Sequence, residues 1–356
     1  MDPTEIGNLF MVGIPGTSLS SEVRDLIDEL NPCGVVLFSR NIEHPVQTAE
    51  LTIGLQRYAL QRCPQGLFIG VDQEGGRVRR LLEPFRSFPP ALDLAAAENP
   101  EQAVREFAQV TAREIRLVGF NLDFVPVLDV LRQSDNLKSS VIGDRAYGFD
   151  PHTVTRLGDI VTDAMRAGRV IPCCKHFPGH GGTTVDSHLE LPVDDRSVEA
   201  LEKSDLIPFR NAAAKKVEML MTAHILYRSI DPLYPATMSH RIISGILRQS
   251  MAYAGTTITD DLDMGAVTDR FSTEECALKA VEAGVDILLV CRSPEKALAA
   301  RDEIVRALKA GEVTESRIRE SLDRIRSLKS AYADSLRPAA LQAVRRYFGT
   351  ATPGFV

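Results

Sequence analysis

Three of the chain's seven histidines lie in one segment, between Lys175 and His188. Imidazoles this close together in sequence suit two kinds of chemistry, metal binding and proton transfer. His176, His180 and His188, with the carboxylate of Asp186, are all side chains that can bind zinc in a hydrolase. The segment lacks a helical His-x-x-x-His or a His-x-His pair, however, so the metal site is the weaker interpretation.

The second interpretation depends on the spacing of Asp186 and His188. Alternate residues can place a carboxylate against one imidazole nitrogen, which fixes the tautomer and leaves the other nitrogen to carry a proton. Such a pair is a general acid/base. A hydrogen bond that only fastens the loop would have the same spacing, so spacing alone leaves both readings open.

Directional polar groups also lie outside this pair. Lys175, Arg145 and Arg80 supply donors and Asp72 supplies an acceptor, a combination suited to the hydroxyl and amide groups of a sugar. Ion pairs that merely hold loops together would have the same composition. The step Gly75-Gly76 does not match GxxxxGK[ST], so the sequence does not predict a phosphate-binding P-loop.

Asp260 follows directly on an apolar run, where a strand would aim its carboxylate rigidly. In that position it suits a nucleophile that attacks an anomeric carbon, as one carboxylate does in a retaining glycosidase. Asp261 and Asp263 are alternatives, although both also suit the N-terminus of a helix, where acidic side chains are favourable. The residue types alone do not choose among the three.

The elements that must position these residues form a strand and helix alternation. We predict helices over 102–118, over 152–167 with Gly168 as its C′ residue, and over 294–310 between Ser293 and Gly311. In the next helix, Ile318, Leu322, Ile325 and Leu328 share one face and should pack on the body. The predicted strands are 9–14, 34–38, 67–71, 121–125, 170–175, 218–222, 256–259 and 286–291.

Eight such units without an obvious linker predict an α/β fold, a single-domain (β/α)₈ TIM-type barrel, with a doubly wound open sheet as the alternative. In a barrel, chemistry gathers on loops after the C-terminal ends of strands. Polar residues follow five of the predicted strands, among them Asp72, Asp129, Lys175, His224 and Asp260. We therefore expect them to meet at one mouth.

Composition narrows the classes of function. The formal net charge of -7 argues against nucleic acid or an anionic membrane as a partner, because both need a concentrated basic surface. The first residues lack the basic and apolar regions of an export signal. Six scattered cysteines fit neither a zinc site nor a disulfide scaffold. We therefore expect a cytoplasmic protein.

Several motifs, in their order along the chain, resemble glycoside hydrolase family 3, and specifically its bacterial β-N-acetylglucosaminidases of cell-wall recycling. The resemblance covers about residues 5 to 330, and Ala146 stands where many relatives have serine. The motifs are VDQEGGRVRR at 71–80, FVPVLDV at 124–130, IGDRAY at 142–147, KHFPGHGGTTVDSHLELP at 175–192, MTAH at 221–224 and TDDLDMGAV at 259–267.

The resemblance implies a retaining exo-glycosidase that removes terminal β-N-acetylglucosamine through a covalent intermediate. It makes Asp260 the nucleophile, His188 the acid/base and Asp186 its orienting partner. The implied natural substrates are N-acetylglucosaminyl-1,6-anhydro-N-acetylmuramyl peptides. The implied substrate-binding residues are Asp72, Arg80, Arg145, Lys175 and His176, to which we add His224 of MTAH.

The same comparison implies no cofactor and no metal, and we expect a monomer. We assign 1–335 to the catalytic domain and 336–356 to a C-terminal helix and tail, in which Leu341, Val344 and Phe348 have helical spacing. Three rival functions are a phosphorylase with the same residues, a metal-dependent hydrolase using the histidine cluster, and a sugar-binding barrel without catalysis.

Overall fold

Eight short apolar segments pair side by side as parallel strands in the computed structural model, which describes residues 1–132, 141–183 and 191–349. The strands of this sheet are β1 (Phe10–Gly13), β2 (Gly34–Val36), β3 (Phe68–Val71), β4 (Leu122–Asp123), β5 (Ile171–Phe177), β7 (Met219–Thr222), β9 (Thr256–Thr259) and β10 (Leu288–Val290). A separate two-stranded parallel sheet contains β6 (Val193–Asp194) and β8 (Leu226–Tyr227).

The large sheet closes on itself. Its order is β10-β1-β2-β3-β4-β5-β7-β9, and a parallel bridge between Ile258 and Ile287 joins the two end strands. All residues of β1 and β5 are buried, as expected for strands covered by side chains on one face and by helices on the other. The prediction of a (β/α)₈ barrel is confirmed, and the open sheet is wrong.

Helices connect the strands and surround the barrel. The α-helices are Pro3–Gly7, Ser21–Leu30, Pro45–Ala59, Ala91–Ala95, Pro100–Leu117, Pro151–Ala167, Val198–Glu202, Leu206–Ala214, Gly265–Thr268, Thr273–Ala283, Pro294–Ala310, Glu315–Ala331 and Leu341–Phe348. A π-helix spans Arg241–Ser250, and 3₁₀ turns span Ser39–Asn41, Gly143–Arg145 and Ala236–Met238. Among the described residues, we find no helix of the length and apolarity that crossing a bilayer requires.

The observed C-terminal end of one helix agrees with the sequence prediction, and that of another helix differs from it. Helix Pro294–Ala310 ends before Gly311, as predicted, and the φ of 75° at Gly311 lies in the left-handed region. After helix Pro151–Ala167, however, Gly168 has a φ of -75°, and Arg169 has the positive φ of 61°. The predicted role of Gly168 as the left-handed residue is therefore wrong by one position.

A buried carboxylate fastens the end of the barrel opposite the polar loops. Asp286, which precedes β10 and is fully buried, accepts hydrogen bonds from Arg248 at 2.6 Å and Arg324 at 3.0 Å. It also accepts from the backbone N–H of Thr257 at 2.9 Å and from the Ser321 hydroxyl at 2.7 Å. One side chain thus links β9, β10 and two helices, which is a stabilising role rather than a catalytic one.

Candidate active site

A cavity of about 360 Å³ lies at the C-terminal ends of the barrel strands. This volume is within the range of pockets that hold small molecules. Six of the side chains assigned to catalysis or substrate binding line it together: Asp72, Arg80, Arg145, Lys175, His176 and Asp260. The expectation that strand ends converge at one mouth is confirmed for these six.

Four of these side chains take their positions directly from a strand end. Asp72 follows β3 directly, Lys175 and His176 are part of β5, and Asp260 follows β9. Arg145 lies in the 3₁₀ turn Gly143–Arg145, which belongs to the long connection after β4. Because parallel strands present their carboxyl ends to the same rim, residues far apart in sequence meet here.

Lys175 is held between two carboxylates. Its Nζ lies 2.8 Å from Asp72 Oδ1 and 2.6 Å from Glu74 Oε1, and its side chain is only 2% exposed. Burial disfavours the charged amine, but Asp72 and Glu74 outweigh burial and hold the pKa of Lys175 above its ordinary value. The side chain therefore stays a cation and a fixed hydrogen-bond donor.

Glu74 also binds Arg145 through two hydrogen bonds of 2.8 Å each, in a bidentate pair. Burial opposes the charge on Glu74, yet Arg145 and Lys175 outweigh it and hold the pKa of this carboxyl far below its ordinary value. The sequence prediction did not assign a role to Glu74. Its position two residues after Asp72, in the same loop, was the available signal.

We expect Glu74→Gln to raise KM about tenfold with a smaller effect on kcat. An amide cannot compensate two buried cations, so Lys175 and Arg145 should lose their fixed orientation toward the substrate. Steady-state kinetics with a chromogenic substrate measure both constants. Glu101→Gln, which removes an exposed ion pair with Arg156, is the matched control. An unchanged KM would contradict the role of Glu74 in orienting Lys175 and Arg145.

Asp129 holds His176 from behind. The fully buried carboxylate lies 2.7 Å from His176 Nδ1 through Oδ2, and its Oδ1 accepts from the backbone N–H groups of His176 and His180, at 3.2 Å and 2.7 Å. Burial opposes the charge on Asp129, but His176 outweighs it and lowers the pKa of this carboxyl. The ring of His176 is thereby fixed, with Nε2 left for contacts in the cavity.

Asp260 presents a carboxylate to the cavity. Its backbone N–H donates to Thr222 O at 3.2 Å, and its Oδ1 accepts from the Asp261 N–H at 2.8 Å. Burial works against ionisation, but the imidazoles of His176 and His224 outweigh it and lower the pKa of Asp260. Asp260 is therefore ionised at neutral pH, as a nucleophile must be.

The two neighbouring acids play a different part. Asp261 Oδ1 accepts from the N–H groups of Asp263 and Cys291, at 3.1 Å and 3.0 Å, and burial raises the pKa of Asp261 to about 6. Asp263 accepts from the N–H of Arg292 at 2.9 Å and from Lys296 at 2.9 Å, at the start of helix Pro294–Ala310. Both acids fasten the loop after β9 to the loop after β10.

Burial lowers the pKa of the other two histidines of the barrel mouth, His224 and His180. His224 is buried, and its ring nitrogens lie 2.9 Å from the Thr237 hydroxyl and 3.1 Å from Asp261 O. It is not among the side chains that line the cavity, so the geometry gives it a place in the support of the Asp260 loop. Burial and the neighbouring His176 lower the pKa of His180 to about 4.

Gly179 allows the chain after β5 to turn close to a neighbouring helix. Its φ is 136°, and a Cβ at this position would lie 2.7 Å from Asp205 Cβ. The predicted acid/base residues Asp186 and His188 follow in this segment but lie outside the described residues. Within residues 1–132, 141–183 and 191–349, no three His, Cys, Asp or Glu side chains are grouped so that they could hold a metal ion.

One further acid lies beneath the site. Asp123, at the end of β4, is fully buried, and its Oδ1 accepts from the Gln73 N–H at 3.0 Å, whereas Oδ2 has no partner among the described residues. Burial raises the pKa of Asp123 to about 8, and the nearby Asp72 carboxylate adds to the effect. This side chain is therefore mostly protonated at neutral pH.

We expect Asp123→Asn to stabilise the protein increasingly as pH rises. Since the folded pKa of about 8 lies above the ordinary 3.8, the folded chain binds more protons than the unfolded chain between these values. Asp123 therefore lowers stability as pH rises through that window. Urea denaturation at pH 5 and pH 7.5 measures the free energy of unfolding of both proteins. Between these two pH values, the difference should shift in favour of the variant by about 1–3 kcal/mol. Asp93→Asn, at an exposed position, is the control. A difference between Asp123→Asn and wild type that does not change with pH would contradict this assignment.

Comparisons with known proteins show the family of the chain. The model of the glycosyl hydrolase family 3 N-terminal domain matches residues 3–328. A β-hexosaminidase of Alkalilimnicola ehrlichii is 43% identical over 290 residues, which cover 80% of this chain and 81% of the relative. A β-hexosaminidase of Thiobacillus denitrificans is 39% identical over 303 residues, covering 84% and 81%.

The solved structure of a family 3 β-N-acetylglucosaminidase from Paenibacillus superposes with a TM-score of 0.90 at 35% identity, covering 97% of this chain and 68% of that one. The fold and the site thus define a barrel of the glycoside hydrolase class. More narrowly, the chain belongs to glycosyl hydrolase family 3.

Proposed function

We propose that the chain is a retaining β-N-acetylhexosaminidase that removes a terminal N-acetylglucosamine from its substrate. The observation that carries this proposal is the ionised Asp260 carboxylate at the end of β9, in a cavity shared with Lys175 and His176. The names of the relatives, β-hexosaminidase and β-N-acetylglucosaminidase, support the choice of sugar.

The reaction takes two displacements. Asp260 attacks the anomeric carbon, the bond to the leaving oxygen breaks, and His188 gives that oxygen a proton. His188 then removes a proton from water, which attacks the same carbon and frees Asp260. Asp186 orients the imidazole. The roles of Asp186 and His188 rest on the sequence motif, because both lie outside the described residues.

The substrate-binding residues supply fixed polar groups around the sugar. Lys175 and Arg145 are held by Glu74, and Asp129 holds His176, so these three side chains need little reorganisation when a sugar binds. Asp72 and Arg80 complete the set. We assign the contacts with the sugar's hydroxyl and amide groups to these five residues.

For the natural substrate we propose N-acetylglucosaminyl-1,6-anhydro-N-acetylmuramyl peptides, and for the location the cytoplasm, where such fragments would be recycled. The protein acts as a monomer in this proposal. All six cysteines are free thiols, which is consistent with a reducing compartment.

The test is hydrolysis of a 4-nitrophenyl β-N-acetylglucosaminide followed by proton NMR. We expect N-acetylglucosamine to appear first as the β-anomer, as retention requires. The α-anomer as first product would exclude the double displacement. A sugar phosphate as the main product in phosphate buffer would identify a phosphorylase instead, and loss of turnover with EDTA would identify a metal-dependent enzyme.

A further inference from the structure

A buried glutamine connects the substrate-binding loop after β3 to the body of the barrel. Gln73 lies two residues beyond the end of β3 and is only 6% exposed. We propose that Gln73 is a positioning residue, which directs the Arg80 side chain toward the sugar by holding the backbone of Arg80 and Leu81. This inference rests on the proposed function, since it concerns the binding of the sugar that is removed.

Gln73 binds the returning part of the loop with both ends of its amide. Its Oε1 accepts from the backbone N–H of Arg80 at 2.9 Å and from that of Leu81 at 3.1 Å, while its Nε2 donates to Leu81 O at 3.2 Å. Leu81 is buried, so its backbone groups need partners within the protein. One side chain therefore fixes the backbone at the point where Arg80 enters the cavity.

Gln73 is itself held by the barrel. Its backbone N–H donates to Asp123 Oδ1 at 3.0 Å, and Asp123 is the last residue of β4. Strand β4 pairs with β3 in the register that places Val71 opposite Asp123. The amide of Gln73 thus extends from a rigid part of the barrel to the backbone of a residue that follows it by seven positions.

The guanidinium of Arg80 is held less firmly by its own contacts. Its Nη2 lies 3.4 Å from Asp72 Oδ2, which is long for a hydrogen bond, and its central carbon lies 5.8 Å from the centre of the Phe38 ring. Its Nε is buried and has no hydrogen-bond partner in the described part of the chain. Lys175, in contrast, lies 2.6 Å from Glu74. The direction of the Arg80 side chain therefore depends on the backbone that Gln73 holds.

A second buried glutamine makes the same kind of contact at the other end of β3. Gln56, which is 1% exposed, donates from Nε2 to Leu67 O at 2.6 Å and accepts through Oε1 from the Leu67 N–H at 3.0 Å. Leu67 precedes β3, so this contact lies at the end of the barrel opposite the cavity. Gln56 is therefore a matched control for Gln73, with similar burial and similar backbone partners.

The experiment measures KM and kcat for 4-nitrophenyl β-N-acetylglucosaminide with Gln73→Met and with Gln56→Met. Methionine fills a similar volume but cannot replace the hydrogen bonds of the amide. We expect Gln73→Met to raise KM about tenfold with a smaller change in kcat, because Arg80 loses its fixed direction. Gln56→Met should lower the melting temperature but keep the wild-type KM. If a methionine variant does not fold, Gln73→Asn and Gln56→Asn, whose shorter amides cannot reach the same backbone groups, should show the same contrast.

A double-mutant cycle tests whether Gln73 acts through Arg80. In an Arg80→Ala background, the Gln73 substitution should have no further effect on kcat/KM, because the side chain that Gln73 directs is missing. An equal loss in both backgrounds would overturn the inference. So would an unchanged KM in the Gln73 variant, or an equal rise in KM in the Gln56 variant, while the proposed function stays intact. If wild type does not hydrolyse the glycoside, the proposed function itself fails.

Discussion

Replacing Asp260 by alanine is expected to lower kcat by about 10⁴-fold or more, because no other group can form the covalent bond to the sugar. Asp260 accepts its hydrogen bond from the neighbouring Asp261 backbone, and its removal leaves the barrel strands untouched. The melting temperature should therefore change little. Kinetics with a chromogenic glycoside and thermal denaturation by circular dichroism measure the two effects.

External azide distinguishes loss of a nucleophile from misfolding. In the space left by Asp260→Ala, azide should attack the anomeric carbon from the same side as the missing carboxylate and restore part of the turnover. The product should be an α-glycosyl azide. Asp269→Asn, a change at an exposed acid after helix Gly265–Thr268, is the control and should retain full activity. An Asp260→Ala variant with more than a tenth of wild-type kcat would exclude it as nucleophile.

Replacing His188 by alanine should have the second largest effect, with a size that depends on the leaving group. For an alkyl glycoside, whose leaving oxygen needs a proton, we expect kcat/KM to fall by about 10²–10⁴-fold. For a 2,4-dinitrophenyl glycoside the first step needs no proton, and the fall should be much smaller. His152→Ala, at an exposed helix position, is the matched control. Equal losses with both substrates would contradict the acid/base role.

Much of the fold could be predicted because burial leaves a simple pattern in the sequence. Strands covered on both faces must be continuous apolar runs, and segments such as 34–38 and 256–259 contain the observed strands β2 and β9. Helix Glu315–Ala331 buries Ile318, Leu322 and Ile325, as the spacing predicted. The shift from Gly168 to Arg169 shows the limit, since helix ends depend on packing that local sequence does not specify.

Several of the residues that line the site could be predicted for a related reason. The barrel brings the ends of its strands to one rim, so Asp72, Lys175 and Asp260 had to meet once eight strands were recognised. Asp129 was expected at the mouth, but the supporting roles of Glu74 and Asp129 could not be predicted in the same way. Glu74 and Asp129 matter because of contacts made across 71 and 47 residues of chain, and no local spacing indicates such partners.

His224 illustrates the opposite difficulty. A histidine after a barrel strand suits direct contact with a substrate, yet its two ring nitrogens are engaged by Thr237 and Asp261. Its nearness helps to lower the pKa of Asp260, so its contribution is electrostatic and structural. Its residue type and its position after a strand predicted that His224 lies near the site. Only its hydrogen bonds show that it supports the loop that carries Asp260.

The identity of the nucleophile can be measured directly with a 5-fluoro-N-acetylglucosaminyl fluoride, which forms the glycosyl-enzyme quickly and hydrolyses slowly. Protease digestion and tandem mass spectrometry then locate the added sugar. We expect a single labelled peptide with the sugar on Asp260, and release of the label over time with recovery of activity. A label on Asp261, Asp263 or any other residue, or an active enzyme that forms no adduct, would contradict covalent catalysis by Asp260.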